Sequence, residues 1–310
     1  MNNSNFQLKH IWLFLKGMAM GAADVVPGVS GGTIAFISGI YEELIQSINA
    51  FIPALTGSLR KEGLKAFWKA ANGNFLLAVF CGIALSVATL SQVISWLLAN
   101  QPVLVWSFFF GLVLASIYFV GREIKSKAPV IWIMGLLGVL IAYGVLQLPV
   151  SDQAAGMPYL FISGALAICA MILPGISGAF ILVLLGSYKT ILDAVHERNL
   201  QVLLITFAGA VFGLLSFARL LKWMFKRYKQ ATLALLTGFI LGSIPKIWPW
   251  KEVLETREFG DKILVVREAN ISPLSYDGNP QIVTAVVLAV LGFSIIFILE
   301  GFAKRKNTAA

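Results

Sequence analysis

The chain is poor in charge, cysteine and histidine. Only 13% of its 310 residues are charged, against about 25% in soluble domains. Hydrophobic residues make up 58%, and the mean hydropathy is +0.83. This balance excludes a soluble globular enzyme, a disordered chain and a collagen-like fibre. The two cysteines, Cys81 and Cys169, lie inside apolar runs and imply neither a disulfide framework nor a metal cluster. No Cys/His/Asp ligand cluster points to a metal, and nothing in the sequence calls for a cofactor. The two histidines, His10 and His196, lie outside the spans read below. Acids are scarcer than bases, 15 against 24, which leaves a net charge of +9. A membrane protein concentrates Lys and Arg on its cytoplasmic side, so this charge is no argument for nucleic acid.

Long apolar runs are what the chain has instead. They cover about 75–98, 103–121, 130–148, 201–221, 231–248 and 281–299. Each can cross roughly 30 Å of hydrocarbon. Two further apolar regions, 17–48 and 158–193, are interrupted at mid-segment by Pro27-Gly28 and Pro174-Gly175. Their halves are short for a full crossing and suit re-entrant hairpins. Residues 5–16 read as an amphipathic helix at the inner interface.

Basic residues set the orientation. With the N-terminus in the cytoplasm and each hairpin returning to its own side, 17 of the 24 Lys and Arg fall inside. The outer connections 99–102 and 149–157 have none, and the long outer segment 249–279 is mixed. Both termini are then cytoplasmic. Ten full crossings, with each broken region a helix pair, give the same sidedness. No cleavable signal peptide is evident, because Lys16 and Asp24 interrupt and follow the first apolar stretch.

The chain also repeats itself. VPGVSGGTIAFISGIYEELI from Val26 aligns without gaps on LPGISGAFILVLLGSYKTIL from Leu173, with Pro, Gly, Ser and Tyr in register. At a second constant offset Gly82 falls on Gly209, Trp96 on Trp223, and GLVLASI from Gly111 on GFILGSI from Gly238. The expected fold is therefore an all-α integral membrane protein with an inverted-topology repeat. Each half, 1–148 and 156–303, is a broken helical hairpin plus three transmembrane helices. An odd number of spans inverts the second half, as in many secondary transporters, whose substrates bind at the repeat interface on discontinuous helices.

Each Pro-Gly-x-Ser-Gly loop precedes an apolar helix, Thr33 to about Ile48 and Phe180 to about Val195. A helix N-terminus with free N–H groups is an anion site, and phosphate fits it. Gly28, Gly31, Gly32, Gly175 and Gly178 allow close backbone approach, and Ser30, Thr33 and Ser177 add hydroxyls. Lys16 and Arg219 are the basic side chains placed to meet a phosphate. Packing of small residues and snorkelling to the interface are the plainer readings of the same residues. Asp24 is an intramembrane carboxyl, hence a candidate for proton coupling, or else a helix cap. Gly-x-Ser-Gly within a membrane also resembles the serine loop of rhomboid proteases. That chemistry needs a histidine near the serine, and neither His10 nor His196 lies on a later span, so no enzyme is expected.

KGMAMGAADVVPGVSGGTIAFISGIYEELI from Lys16, together with LPGISGAFILVLLGSY from Leu173, resembles a bacterial and archaeal membrane family. It was formerly domain of unknown function 368 and is now described as polyprenyl-phosphate transporters. The resemblance covers nearly the whole chain, and the first motif matches at Lys16, Gly21, Asp24, Pro27, Gly28, Ser30, Gly31, Gly32 and Thr33. It implies translocation of undecaprenyl phosphate from the outer to the inner leaflet of the bacterial cytoplasmic membrane, recycling the cell-wall carrier lipid. The rival expectation is a channel or carrier for a small anion or ion.

Overall fold

The computed structural model describes residues 3–26, 29–151, 156–259 and 262–308. The chain is mostly helical. In the first half α1 (Asn3–Val25) leads to α2 (Gly31–Ile37) and α3 (Tyr41–Pro53). Two short helices, α4 (Leu59–Glu62) and α5 (Leu64–Ala70), precede the long α6 (Gly73–Asn100), α7 (Pro102–Gly121) and α8 (Pro129–Gln147). In the second half come α9 (Met157–Ile172), α10 (Gly178–Leu184), α11 (Ser187–His196) and α12 (Leu200–Ser243). The strands β1 (Lys251–Phe259) and β2 (Lys262–Asn270) then precede α13 (Ile282–Thr308). Among the described residues, four helices are long and apolar enough to cross a membrane: α6, α7, α8 and α12. The chain is a multi-pass membrane protein.

Pro opens α7 and α8 at their first turns, where its missing N–H costs nothing. α12 runs for 44 residues, with one non-helical residue, Tyr228 (φ −135°, ψ 47°). The two spans expected at 201–221 and 231–248 are thus legs of one bent helix, and the stretch between them is helical on both sides of Tyr228. A straight helix of that length would cover about 66 Å, twice the hydrocarbon thickness.

The expected interfacial helix 5–16 is likewise no separate element. It is the first part of α1, whose later turns press on α6. Gly17 faces the Val79 carbonyl there, and Gly82 faces the Phe14 carbonyl; a Cβ at either glycine would collide with them. In the second half Gly164 of α9 faces the Thr206 carbonyl of α12, and Gly209 faces the Phe161 carbonyl. Two further crossings join the halves. α7 packs on α13 through Gly111 against Ala289 and Gly292 against Phe108. The second leg of α12 packs on α8 through Gly238 against Gly135 and Gly138 against Leu235. Small residues at these points let backbones approach closely, the usual way helices adhere in lipid.

Each apolar helix expected after a Pro-Gly loop is broken a second time. α2 ends before Gly39 (φ +72°) and α10 before Gly186 (φ +68°), the two glycines that the sequence repeat puts in register. α10 and α11 meet at 108°. A left-handed residue cannot continue a helix, and glycine takes that conformation without a Cβ penalty.

The one departure from all-α structure among the described residues lies in the segment 249–279, expected to be outside. β1 and β2 form an antiparallel hairpin, pairing Lys251 with Asn270 through to Phe259 with Lys262. Two tryptophans anchor its base. Trp248 Nε1 donates to Ile271 O at 2.9 Å, and Trp250 Nε1 donates to Pro280 O at 2.9 Å.

Candidate functional site

The two broken regions meet each other. Lys16 Nζ donates to Ser38 O at 2.6 Å, so the end of α2 lies back beside the middle of α1. In the second half Tyr159 Oη donates to Leu185 O at 2.7 Å, which lays the end of α10 beside the start of α9. The Ser163 and Ser187 hydroxyls, 2.8 Å apart, extend that contact.

At the apex the loops are joined by hydrogen bonds. Ser30 Oγ donates to Met171 O at 2.7 Å. The Gly175 N–H donates to Thr33 Oγ1 at 3.0 Å. Ser30 and Thr33 are fully buried, so each of these bonds satisfies polar groups that water does not reach. Gly32 is required by the same closeness: a Cβ there would stand 2.9 Å from Met171 O and closer still to Ile172 O. Gly175 has φ +89°, and a Cβ on it would lie 2.6 Å from Ser243 Oγ. Gly178 packs against α9, with Ala167 O 2.7 Å from a notional Cβ.

The helices after the loops begin at Gly31 and Gly178, two residues earlier than expected from the sequence. Their first turns differ. In α2 the donors are already taken. Asp24 Oδ1 accepts from Gly31 N at 2.6 Å, Ser30 Oγ accepts from Gly32 N at 3.1 Å, and Ser30 O accepts from Thr33 N at 2.9 Å. The acceptor at this helix start is therefore Asp24 itself, the helix-cap alternative of the sequence reading, and these donors are not open. Ser177 occupies the equivalent capping position of α10 and makes no side-chain cap bond. Met171 and Ala179, on either side of the second loop, are exposed.

The other expected residues are placed variously. Lys16 belongs to the first hairpin through its bond to Ser38. Arg219 is exposed on α12; its neighbour Ala218 accepts from Asn49 Nδ2 of α3 at 2.7 Å, and no described hydrogen bond ties Arg219 to either loop. Gly28 lies outside the described residues. Ser30 is bonded to Met171 and Gly32, while the histidines stand on α1 and at the end of α11. Sequence reasoning missed Ser243 and the Met171 carbonyl as parts of the junction. Ser243 lies within the repeated GFILGSI, so its signal was present. The carbonyl had none, because every residue carries one.

Comparison with known proteins extends this picture. A family described as undecaprenyl phosphate translocase-like matches residues 20–263. A polyprenyl-phosphate transporter of Vibrio cholerae is 44% identical over 306 residues, covering 96% of this chain and 98% of the relative. A polyprenyl-phosphate transporter of Staphylococcus aureus is 30% identical over 258 residues, covering 77% of this chain and 86% of the relative. No solved structure matches. With two joined Pro-Gly loops and a family match over most of its length, the chain belongs to the undecaprenyl phosphate translocase-like family.

Proposed function

We propose that the protein carries polyprenyl phosphate, as undecaprenyl phosphate, from the outer to the inner leaflet for reuse of the carrier lipid. The observation that carries this reading is the pair of bonds joining the two loops, Ser30 to Met171 and Gly175 to Thr33. The names of the relatives supply the substrate class.

The two halves form an inverted repeat, and both hairpins are re-entrant. The reciprocal glycine contacts support this. The α1–α6 crossing has its counterpart in α9–α12, and the α7–α13 crossing in α12–α8. From Lys16 to Val25 α1 rises roughly 14 Å, so the first apex reaches about half the depth of a 30 Å hydrocarbon layer. The second hairpin comes from the opposite side to the same level. Irregular backbone is tolerable at that depth because the other loop buries and bonds it. The exposed Met171 and Ala179 give the prenyl chain a lipid-facing edge beside the junction.

The phosphate binds where the loops meet, on the first turn of α10 with Ser177 and Gly178, and on α2 in place of the Asp24 carboxylate. Gly31, Gly32 and Thr33 then turn their donors to the phosphate beside Gly175, and Lys16, further along α1, supplies positive charge on the way out. Arg219 meets it at the cytoplasmic exit. Asp24, displaced from Gly31 by a dianion of like charge, takes up a proton, which couples transport to the proton gradient.

Reconstitution into vesicles holding polyprenyl phosphate tests this, with leaflet exposure of the phosphate as the readout. Wild-type protein should move the lipid at a rate that depends on pH. Asp24→Asn should keep the fold and lose that dependence. A wild-type rate across the pH range would remove Asp24 from the coupling. Movement of small anions without lipid would replace the lipid reading by the ion-carrier one.

A further inference from the structure

Outside the loop junction, a group of three packed charges lies at the base of the β-hairpin. Lys251 Nζ donates to Glu268 Oε1 at 3.0 Å and to Lys246 O at 2.6 Å. Lys246 Nζ donates to the same Glu268 oxygen at 2.8 Å. The side chains are only 7% (Lys251), 15% (Lys246) and 17% (Glu268) exposed. Two ammonium groups thus share one carboxylate oxygen, and the group carries one positive charge in excess. Aromatic faces stand where a second anion would. Lys251 Nζ lies 3.7 Å from the centre of the Trp106 ring, and Lys246 Nζ lies 5.2 Å from that of Phe180. Such contacts offset part of the cost of removing an ammonium from water, less than an anion would.

The position of the cluster matters as much as its charge. Phe180 belongs to the first turn of α10, two residues beyond Gly178. Ser243, whose hydroxyl abuts Gly175, is three residues before Lys246. The excess cation therefore borders the second Pro-Gly loop on the side of the β-hairpin. An ammonium has three donors, and Lys246 directs one of them at Glu268.

We propose that Lys246 and Lys251 are the outer receiving site for a phosphate monoester, with Glu268 as the resident anion that the phosphate displaces from Lys246. This rests on the transport reading and adds to it the entry point of the head group. A bare tie between the β-hairpin and the helices would need one lysine per carboxylate. The second lysine gives a dianion a place to land before it reaches Gly175 and Ser177.

Binding of polyprenyl phosphate to the purified full-length protein in detergent tests the inference, with thermal unfolding of each variant measured alongside. Lys246→Gln should weaken binding tenfold or more, and Lys246→Arg should restore most of it. Glu268→Gln, which removes the competing anion, should tighten binding severalfold. Inorganic phosphate should compete with the lipid in the wild type and much less in Lys246→Gln. A simple tie predicts otherwise: Lys246→Gln and Glu268→Gln would weaken binding together, in step with lost thermal stability, and that result would overturn the proposal. So would lipid binding indifferent to Lys246→Gln and to inorganic phosphate. Should Lys246→Gln fail to fold, the sign of the Glu268→Gln effect still decides. Wild-type protein that binds no polyprenyl phosphate would bring down the transport reading itself, whereas normal binding with same-sign variants brings down this site alone.

Discussion

Ser30 and Ser177 occupy equivalent positions but make different bonds. Ser30 caps Gly32 and donates to Met171, whereas Ser177 makes no cap bond. Ser30→Ala should therefore cost about 0.5–2 kcal/mol through the lost cap alone, and further through the Met171 carbonyl left unpaired. Ser177→Ala should cost clearly less. Thermal unfolding of both variants in detergent checks the order, and equal losses would contradict it. Lys251 offers a second test. Burial pulls its pKa down to about 8 from the ordinary 10.5, with Glu268 opposing and Lys246 adding to the fall. Between pH about 8 and 10.5 the unfolded chain holds a proton that folded Lys251 has released. Stability from this group therefore rises with pH across that window. Phosphate binding should change the other way, weakening as Lys251 loses its charge. Lys251→Arg, which keeps its proton, should flatten both profiles. Glu268 is pushed up by burial and pulled down further by Lys251 and Lys246, so it ends below its ordinary 4.5. Its contribution is present above pH 4.5 and is lost as pH falls through the lowered value.

At the scale of the element, the second break in each hairpin is the decisive feature. Gly39 and Gly186 were legible as matched positions in the sequence, yet their role was not, since a glycine in an apolar run reads equally as helix packing. Backbone geometry separates the two uses. Gly39 has positive φ and open space around its Cβ position, while Gly17 and Gly82 are helical and crowded by facing backbones. Gly39→Ala and Gly186→Ala should each cost about 1–2 kcal/mol, the left-handed penalty for an L residue. Gly82→Leu should do far more damage, because the Phe14 backbone has nowhere to go. Denaturation series on the three variants would expose a wrong assignment if Gly39→Ala were neutral. The β-hairpin was illegible for a different reason. Its strands are rich in charge and carry a register shift between Val253 and Thr256, so no clean alternation marks them.

For the whole molecule, the placement of basic residues sets the expected orientation. Position 126 should face the cytoplasm and position 252 the exterior. Ser126→Cys and Glu252→Cys, introduced separately with Cys81 and Cys169 replaced by serine, can be labelled in intact cells by an impermeant thiol reagent. Label at 252 and none at 126 is the expected outcome, and the reverse would invert the topology. The junction of the loops also belongs to this scale. It joins residues 141 and 142 positions apart, Ser30 to Met171 and Gly175 to Thr33.

Run length determined the membrane class without any coordinates, because hydrocarbon thickness acts on composition alone; the placement of charge sets the sidedness to be expected. In-register Pro, Gly, Ser and Tyr marked the duplicated loops, since those residue types are hard to match by chance in an apolar chain. Only the tertiary structure decided which donors at the loops are taken. Asp24 lies seven residues from Gly31, within reach of several partners, and a hydrogen bond is a matter of tenths of an ångström. It also bent α12 at Tyr228 and brought Lys246 and Lys251 onto one oxygen of Glu268. Pattern along a chain reports local preference and depth. Which distant groups meet depends on how helices cross, and those crossings are set by packing between backbones that no single segment contains.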